Sequence, residues 1–118
     1  MRPMPSTTNS SRGEIALVRF VFADEQGAKR RPVLVLSSEP YHAGRQEVIV
    51  AALTSNTTRL LPGDSAVTDW REAGLPLPSL VTAILRTIKA SMIERKLGRL
   101  GAADMRAVER SLRKVLSL

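Results

Sequence analysis

Three short apolar runs leave this chain few folds to choose from. EIALVRFVF (Glu14 to Phe22), PVLVLSS (from Pro32) and EVIVAAL (Glu47 to Leu53) are rich in β-branched and aliphatic residues and shorter than an ordinary globular helix, so each reads as a strand. The last two are continuous, the pattern of a buried strand. SAVTDW (Ser65 to Trp70) alternates enough for a short fourth strand, and SLVTAILRTI (Ser79 to Ile88) is a fifth by composition. Met92 to Leu100 is a weaker sixth, whose Glu-Arg-Lys-Leu core could also open a helix. The connections carry the turn formers: Ala23 to Arg31 is polar and ends in Lys29-Arg30-Arg31, Glu39 to Arg45 holds Pro40 and Gly44, Thr57 to Asp64 holds Pro62-Gly63, and Arg71 to Pro78 is REAGLPLP. Near the end Met105, Val108, Leu112, Val115 and Leu116 form one helical stripe. These elements predict a mainly β fold, a small barrel with a C-terminal amphipathic helix packed on it.

At 118 residues there is room for one core. Met1 to Arg12, rich in Ser, Thr, Asn and Pro, reads as a disordered leader, and residues 13–118 as a single domain. No stretch matches a signal peptide or a membrane span, so a soluble, cytoplasmic protein is expected. Cysteine is absent, which excludes a disulfide framework, a thiolate metal site and a cysteine nucleophile. The net charge is +7, and the excess is +6 over residues 81–118 against +1 over residues 1–80. A basic surface of that kind points to an anionic partner, with phosphate the first candidate.

The chemistry-bearing residues are few. There is no Gly-rich phosphate cradle and no H-E-x-x-H, and the single histidine cannot supply a His-rich metal site; no metal and no cofactor are expected. His42 is expected to face solvent in a loop, with proton transfer as the alternative role. Lys29-Arg30-Arg31 stands before Pro32, a rigid residue entering a buried strand. A guanidinium anchored there offers five donors in a planar fork at every accessible pH, whereas an unanchored cluster only solubilises. Thr54-Ser55-Asn56 follows the third strand, where short hydroxyl side chains either hold a phosphate oxygen or make a turn.

The blocks GEIALVRF, RRPVLVLSSEPYH, VIVAALTSN and GDSAVTDWREAGLPLPSLV, followed by RTI (Arg86 to Ile88) and RKLGRL (Arg95 to Leu100), together resemble the MazF/PemK toxin family of toxin–antitoxin systems over about nine-tenths of the chain. The resemblance implies an SH3-like barrel of CcdB/PemK type, a homodimer, and a metal-independent endoribonuclease that cuts single-stranded RNA at specific sequences and is neutralised by an acidic antitoxin. It implies Arg31 and Thr54 as catalytic residues. Lys29, Arg30, Ser37, Ser55 and Asn56 are then RNA-binding positions. Two positions depart from the family pattern: Tyr41-His42 replaces a common Tyr-Asn pair, and Ala83-Ile84 stands where PemK-type members carry Asp-Gln.

The chemistry implied is attack of the substrate's own 2′-hydroxyl on the adjacent phosphorus, leaving a 2′,3′-cyclic phosphate and a 5′-hydroxyl. Arg31 would stabilise the phosphorane and Thr54 would hold a non-bridging oxygen. Arginine is a poor base, so His42, Glu25 or water is expected to take the proton. Aromatic residues make up only 3% of the chain, too few for a base-stacking platform. Two other readings use the same residues: a non-catalytic RNA-binding barrel, or a CcdB-like poison of a topoisomerase.

Overall fold

The computed structural model describes residues 10–21 and 28–118. The chain runs β1 (Glu14–Val21), β2 (Ala28–Val35), α1 (Glu39–Arg45), β3 (Glu47–Thr54), β4 (Ser65–Ala66), β5 (Leu80–Lys89), β6 (Ile93–Arg99) and α2 (Ala102–Leu116). The six strands form one antiparallel sheet in the order β4-β5-β3-β2-β1-β6.

The continuous apolar runs are explained by burial on both faces of this sheet. Ile15, Leu34, Ala51, Leu53 and Val81 face one core, which Val67, Leu75, Leu100 and Val108 of α2 complete. Their neighbours Ala16, Val18, Val33, Val35, Val48 and Val50 face a second core, closed by Ile88, Ala90 and Ile93. A strand buried on both faces gains nothing from polar alternation. Register shifts in the β1–β6 ladder (at Ile15/Ala16 and Leu17/Val18) and in the β3–β5 ladder (between Ala51 and Leu53) bend the strands. Such bulges increase local twist and help a sheet fold back over its own face.

Four elements differ from the sequence expectation. Lys29-Arg30-Arg31 lies inside β2, paired across to Phe20, Arg19 and Val18, because the β1–β2 ladder extends past the apolar run. Glu39–Arg45 is a short helix, with Pro40 in its first turn, where a missing N–H costs nothing, and Gln46 closing it at φ 57°. The fourth strand is only Ser65–Ala66. Ser10 to Arg12, assigned to the leader by composition, lie against the body: Ser10 is buried, and the Arg12 side chain reaches the Leu36 carbonyl and, at 2.5 Å, the Glu109 carboxylate of α2. The weak sixth strand is β6, and the C-terminal helix spans Ala102–Leu116 as its period predicts.

The segment between β4 and β5 is fixed from two sides. The buried Asp104 carboxylate in the first turn of α2 accepts N–H bonds from Thr68 (3.0 Å) and Asp69 (3.2 Å). On the other side Gly74, at φ +89°, and Gly98 of β6 touch backbone to backbone. A Cβ on Gly74 would lie 2.0 Å from the Leu97 carbonyl oxygen, and one on Gly98 would lie 2.1 Å from that of Ala73. This contact delivers Leu75, Pro76 and Leu77 to the end of the sheet where β2 begins and β3 ends.

Candidate active site

The register of β2 on β3 pairs Val35 with Val50 and Val33 with Ala52. Carried two residues further, it sets Arg31 opposite Thr54. Side chains of a strand alternate between faces, so Arg31 and Thr54 share the face of Val33, Val35 and Val50. That face is sealed core at mid-strand and opens at this end. Arg86 of β5, directly across from Val50, joins the same face.

Two hollows meet at the Arg31–Thr54 pair. One, of about 250 Å³, is lined by Arg31, Leu53 and Thr54 together with Val50, Thr82, Ile84 and Arg86. The other, of about 240 Å³, shares Arg31, Leu53 and Thr54 and adds Arg30, Ser55, Leu75 and Leu77. The structure therefore brings together Arg30, Arg31, Thr54 and Ser55, four of the residues expected at the site. Asn56 lines an adjoining hollow that also contains Thr54 and Ile84.

Local hydrogen bonds orient these groups. The Thr54 hydroxyl oxygen accepts the Asn56 N–H at 3.1 Å, a short side-chain turn that leaves the hydroxyl's own proton to be donated outward. Asn56 Oδ1 accepts from the N–H (3.3 Å) and hydroxyl (2.6 Å) of Thr58, so its amide NH₂ is the part it can offer a ligand. Arg30 is held by a 2.7 Å ion pair to Glu94 of β6, which fixes it at the rim of the second hollow. Lys29 sits on the exposed start of β2. The β3–β5 bulge sets three β5 residues, Thr82 to Ile84, against Ala52. The Thr82 hydroxyl mends the ladder there, donating to the Ala52 carbonyl at 2.7 Å and accepting the Ile84 N–H at 3.1 Å.

His42 and Ser37 are elsewhere, and the solvent-facing loop expected for His42 is not found. The imidazole is 1% exposed on α1. Its Nδ1 lies 3.0 Å from the Ser10 carbonyl oxygen, which only accepts, so Nδ1 carries the proton. Nε2 lies 2.5 Å from the Ser37 hydroxyl, which accepts the Ile49 N–H at 2.9 Å. Both ring nitrogens are thus partnered, and the imidazole ties Ser10 to β3. Six residues of extended chain separate Ser37 from Arg31, about 20 Å at the rise of a strand. Ser37 is therefore a structural residue here. His42→Ala removes the partner of two buried polar groups and should cost about 2–4 kcal/mol of stability. Urea unfolding reads that loss, and a variant as stable as wild type would mean that the relay does not hold Ser10 to β3. Glu25, the other expected proton acceptor, lies outside the described residues.

Arg86 was not among the expected site residues. Its signal was present as a lone cation within the apolar run SLVTAILRTI, but only the register of β5 turns that position toward Arg31. No group of three or more His, Asp or Glu side chains among the described residues could hold a metal ion. The donors gathered here are guanidinium groups and hydroxyls, a set suited to an oxyanion such as a phosphodiester.

The fold and site define a small, mainly β protein that gathers two arginines and a threonine on one face of its sheet. A family model, the PemK-like, MazF-like toxin of type II toxin–antitoxin systems, matches residues 11–116. Endoribonuclease MazF6 of Mycobacterium tuberculosis and Endoribonuclease MazF2 of Mycobacterium bovis are each 41% identical over 96 residues, covering 79% of this chain and 83% of theirs. The solved structure of Mycobacterium tuberculosis toxin MazF-mt6 covers 89% of this chain and 97% of its own at 28% identity, with a TM-score of 0.73. MazE–MazF from Deinococcus radiodurans matches in fold at 22% identity and a TM-score of 0.75, covering 92% of this chain and 97% of its own. The chain belongs to the PemK/MazF-like toxin family, and its six-stranded sheet with a C-terminal helix is the CcdB/PemK-type fold.

Proposed function

We propose that this protein is the toxin of a type II toxin–antitoxin pair, an endoribonuclease that cuts single-stranded RNA at specific sequences in the cytoplasm. The observation that carries the proposal is that Arg31 and Thr54, from two strands, line the same two hollows. A phosphodiester seated between them meets a permanent planar cation on one side and an outward-pointing hydroxyl proton on the other. The 2′-oxygen forms a bond to phosphorus, the bond from phosphorus to the 5′-oxygen breaks, and the products are a 2′,3′-cyclic phosphate and a 5′-hydroxyl. Arg31 stabilises the charge that develops on the non-bridging oxygens, Thr54 fixes the phosphate for in-line attack, and Arg86 adds a second positive charge on the same face. Neither hollow is lined by a carboxylate or an imidazole among the described residues. With His42 buried in its own relay, the proton of the 2′-hydroxyl passes to Glu25 or to water, and the leaving 5′-oxygen takes up a proton in turn. Lys29, Arg30, Ser55 and Asn56 bind the neighbouring backbone of the RNA.

The partners are a second copy of the chain and an acidic antitoxin protein. The +6 excess on residues 81–118 suits an acidic segment. The exposed Leu60, Leu61, Val115 and Leu116 offer apolar area to a protein surface. Among the described residues no helix is long and apolar enough to cross a membrane.

The decisive experiment replaces the nucleotide 5′ to the cleaved bond by its 2′-deoxy form. Cleavage at that bond should stop while neighbouring sites are still cut, and the products of the all-ribose substrate should carry cyclic phosphates by mass. Cutting of the deoxy bond would overturn the chemistry. Bound but intact RNA would mean a non-catalytic binder, and growth arrest that survives loss of Arg31 would mean a protein-directed poison.

A further inference from the structure

We infer that the site is a cradle for two unstacked bases, with Ile84 and Leu77 as the shelves that receive the bases on either side of the phosphate held by Arg31 and Thr54. The inference rests on the nuclease reading above and concerns how that site selects its substrate. Among the described residues, one large aliphatic side chain open to solvent stands in each hollow: Ile84 is 60% exposed in the first and Leu77 is 54% exposed in the second. Both are aimed by backbone devices. The bulge at Thr82 to Ile84, fastened by the Thr82 hydroxyl, turns Ile84 out of the ladder. The Gly74–Gly98 contact and the Asp104 carboxylate hold the loop that carries Leu77.

Each hollow is smaller than the ~300–1,000 Å³ of a pocket for a drug-sized ligand and suits a single flat ring. Both contain the Arg31–Thr54 pair, so a phosphate there has one hollow on each side. Bases that settle into separate hollows cannot stack on each other. A duplex would have to give up pairing and stacking to enter, which makes this geometry a filter for unpaired RNA. No aromatic residue lines either hollow among the described residues, and the contact these side chains offer is burial of a base face on an aliphatic surface. Its loss should cost less than an aromatic stack, about tenfold in affinity for each shelf.

The test crosses the enzyme variants Ile84→Ser and Leu77→Ser with three single-stranded RNA oligonucleotides: the mapped cleavage sequence, and the same sequence made abasic on the 5′ or on the 3′ side of the scissile phosphate. Each variant should lose about tenfold in kcat/KM on the full sequence. It should lose nothing further on one of the two abasic oligonucleotides, and the two variants should be silent on opposite ones. Additive losses, or both variants tracking the same base, overturn the cradle. The same cycle is read as Kd with 2′-deoxy at the scissile nucleotide or, should wild type cut nothing, with the tightest binder selected from a random single-stranded RNA pool. Failure to cut sinks the nuclease reading alone, whereas an additive Kd cycle sinks the cradle alone. Thermal unfolding of both variants should stay at the wild-type midpoint, as expected for exposed positions.

Discussion

Arg31→Ala should lower the rate of RNA cutting by about 10²- to 10³-fold, the usual effect of removing one preorganised donor to a developing oxyanion. Arg31 is exposed within β2, and its removal opens no cavity. The circular dichroism spectrum and the unfolding midpoint should therefore match wild type. The loss should fall on kcat, because the charge that Arg31 meets is largest in the phosphorane. Arg31→Lys restores the charge without the planar fork and should recover only part of the rate. Initial rates on a short oligonucleotide decide the matter: an alanine variant within a few-fold of wild type removes Arg31 from the chemistry and leaves Arg86 as the cation to examine. Abolished toxicity together with retained cutting in vitro would separate the cellular effect from the nuclease.

Gly74→Ala should be the most damaging of the small substitutions in the fold. Its φ of +89° disfavours any residue with a Cβ, and that Cβ would stand 2.0 Å from a backbone carbonyl oxygen that no side-chain rotation can move aside. Strain and overpacking together predict a loss of about 3 kcal/mol or more, a large fraction of the ~5–15 kcal/mol that holds a domain of this kind folded. Gly98→Ala, which meets the Ala73 carbonyl at 2.1 Å without the φ penalty, should lose somewhat less. Gly44→Ala supplies the control. Nothing lies within 4 Å of its Cβ position in α1, and alanine favours a helix, so stability should hold or rise slightly. Guanidinium unfolding of the three variants tests the order, and a Gly74→Ala protein as stable as wild type would mean that the two backbones do not touch in solution.

These contrasts mark what a sequence can carry. The central strands were legible because burial on both faces removes the polar alternation that normally blurs a short run, and α2 because its stripe has the helical period. α1 was not, since Pro40 and Gly44 within seven residues imitate a turn, and only the geometry of a first helical position makes the proline harmless. His42 misled for a different reason. Its partners stand 5 and 32 residues away, so nothing near it in the sequence announces a buried relay. Arg31 and Thr54 could be singled out because each flanks an apolar run, although their meeting across β2 and β3 is a matter of register. Arg86 and Ile84 depend on the β5 bulge, which places three residues against one and leaves no mark in residue spacing.

The molecule also joins its beginning to its end. β1 needs β6 as a neighbour, with Glu14 set against Arg99, and Arg12 clasps Glu109 on the last helix. Loops closed over such spans form late, since most of the chain must be available before they gain anything. The pairing of β1 with β6 is therefore the slow step to expect, coming after the local hairpins have formed.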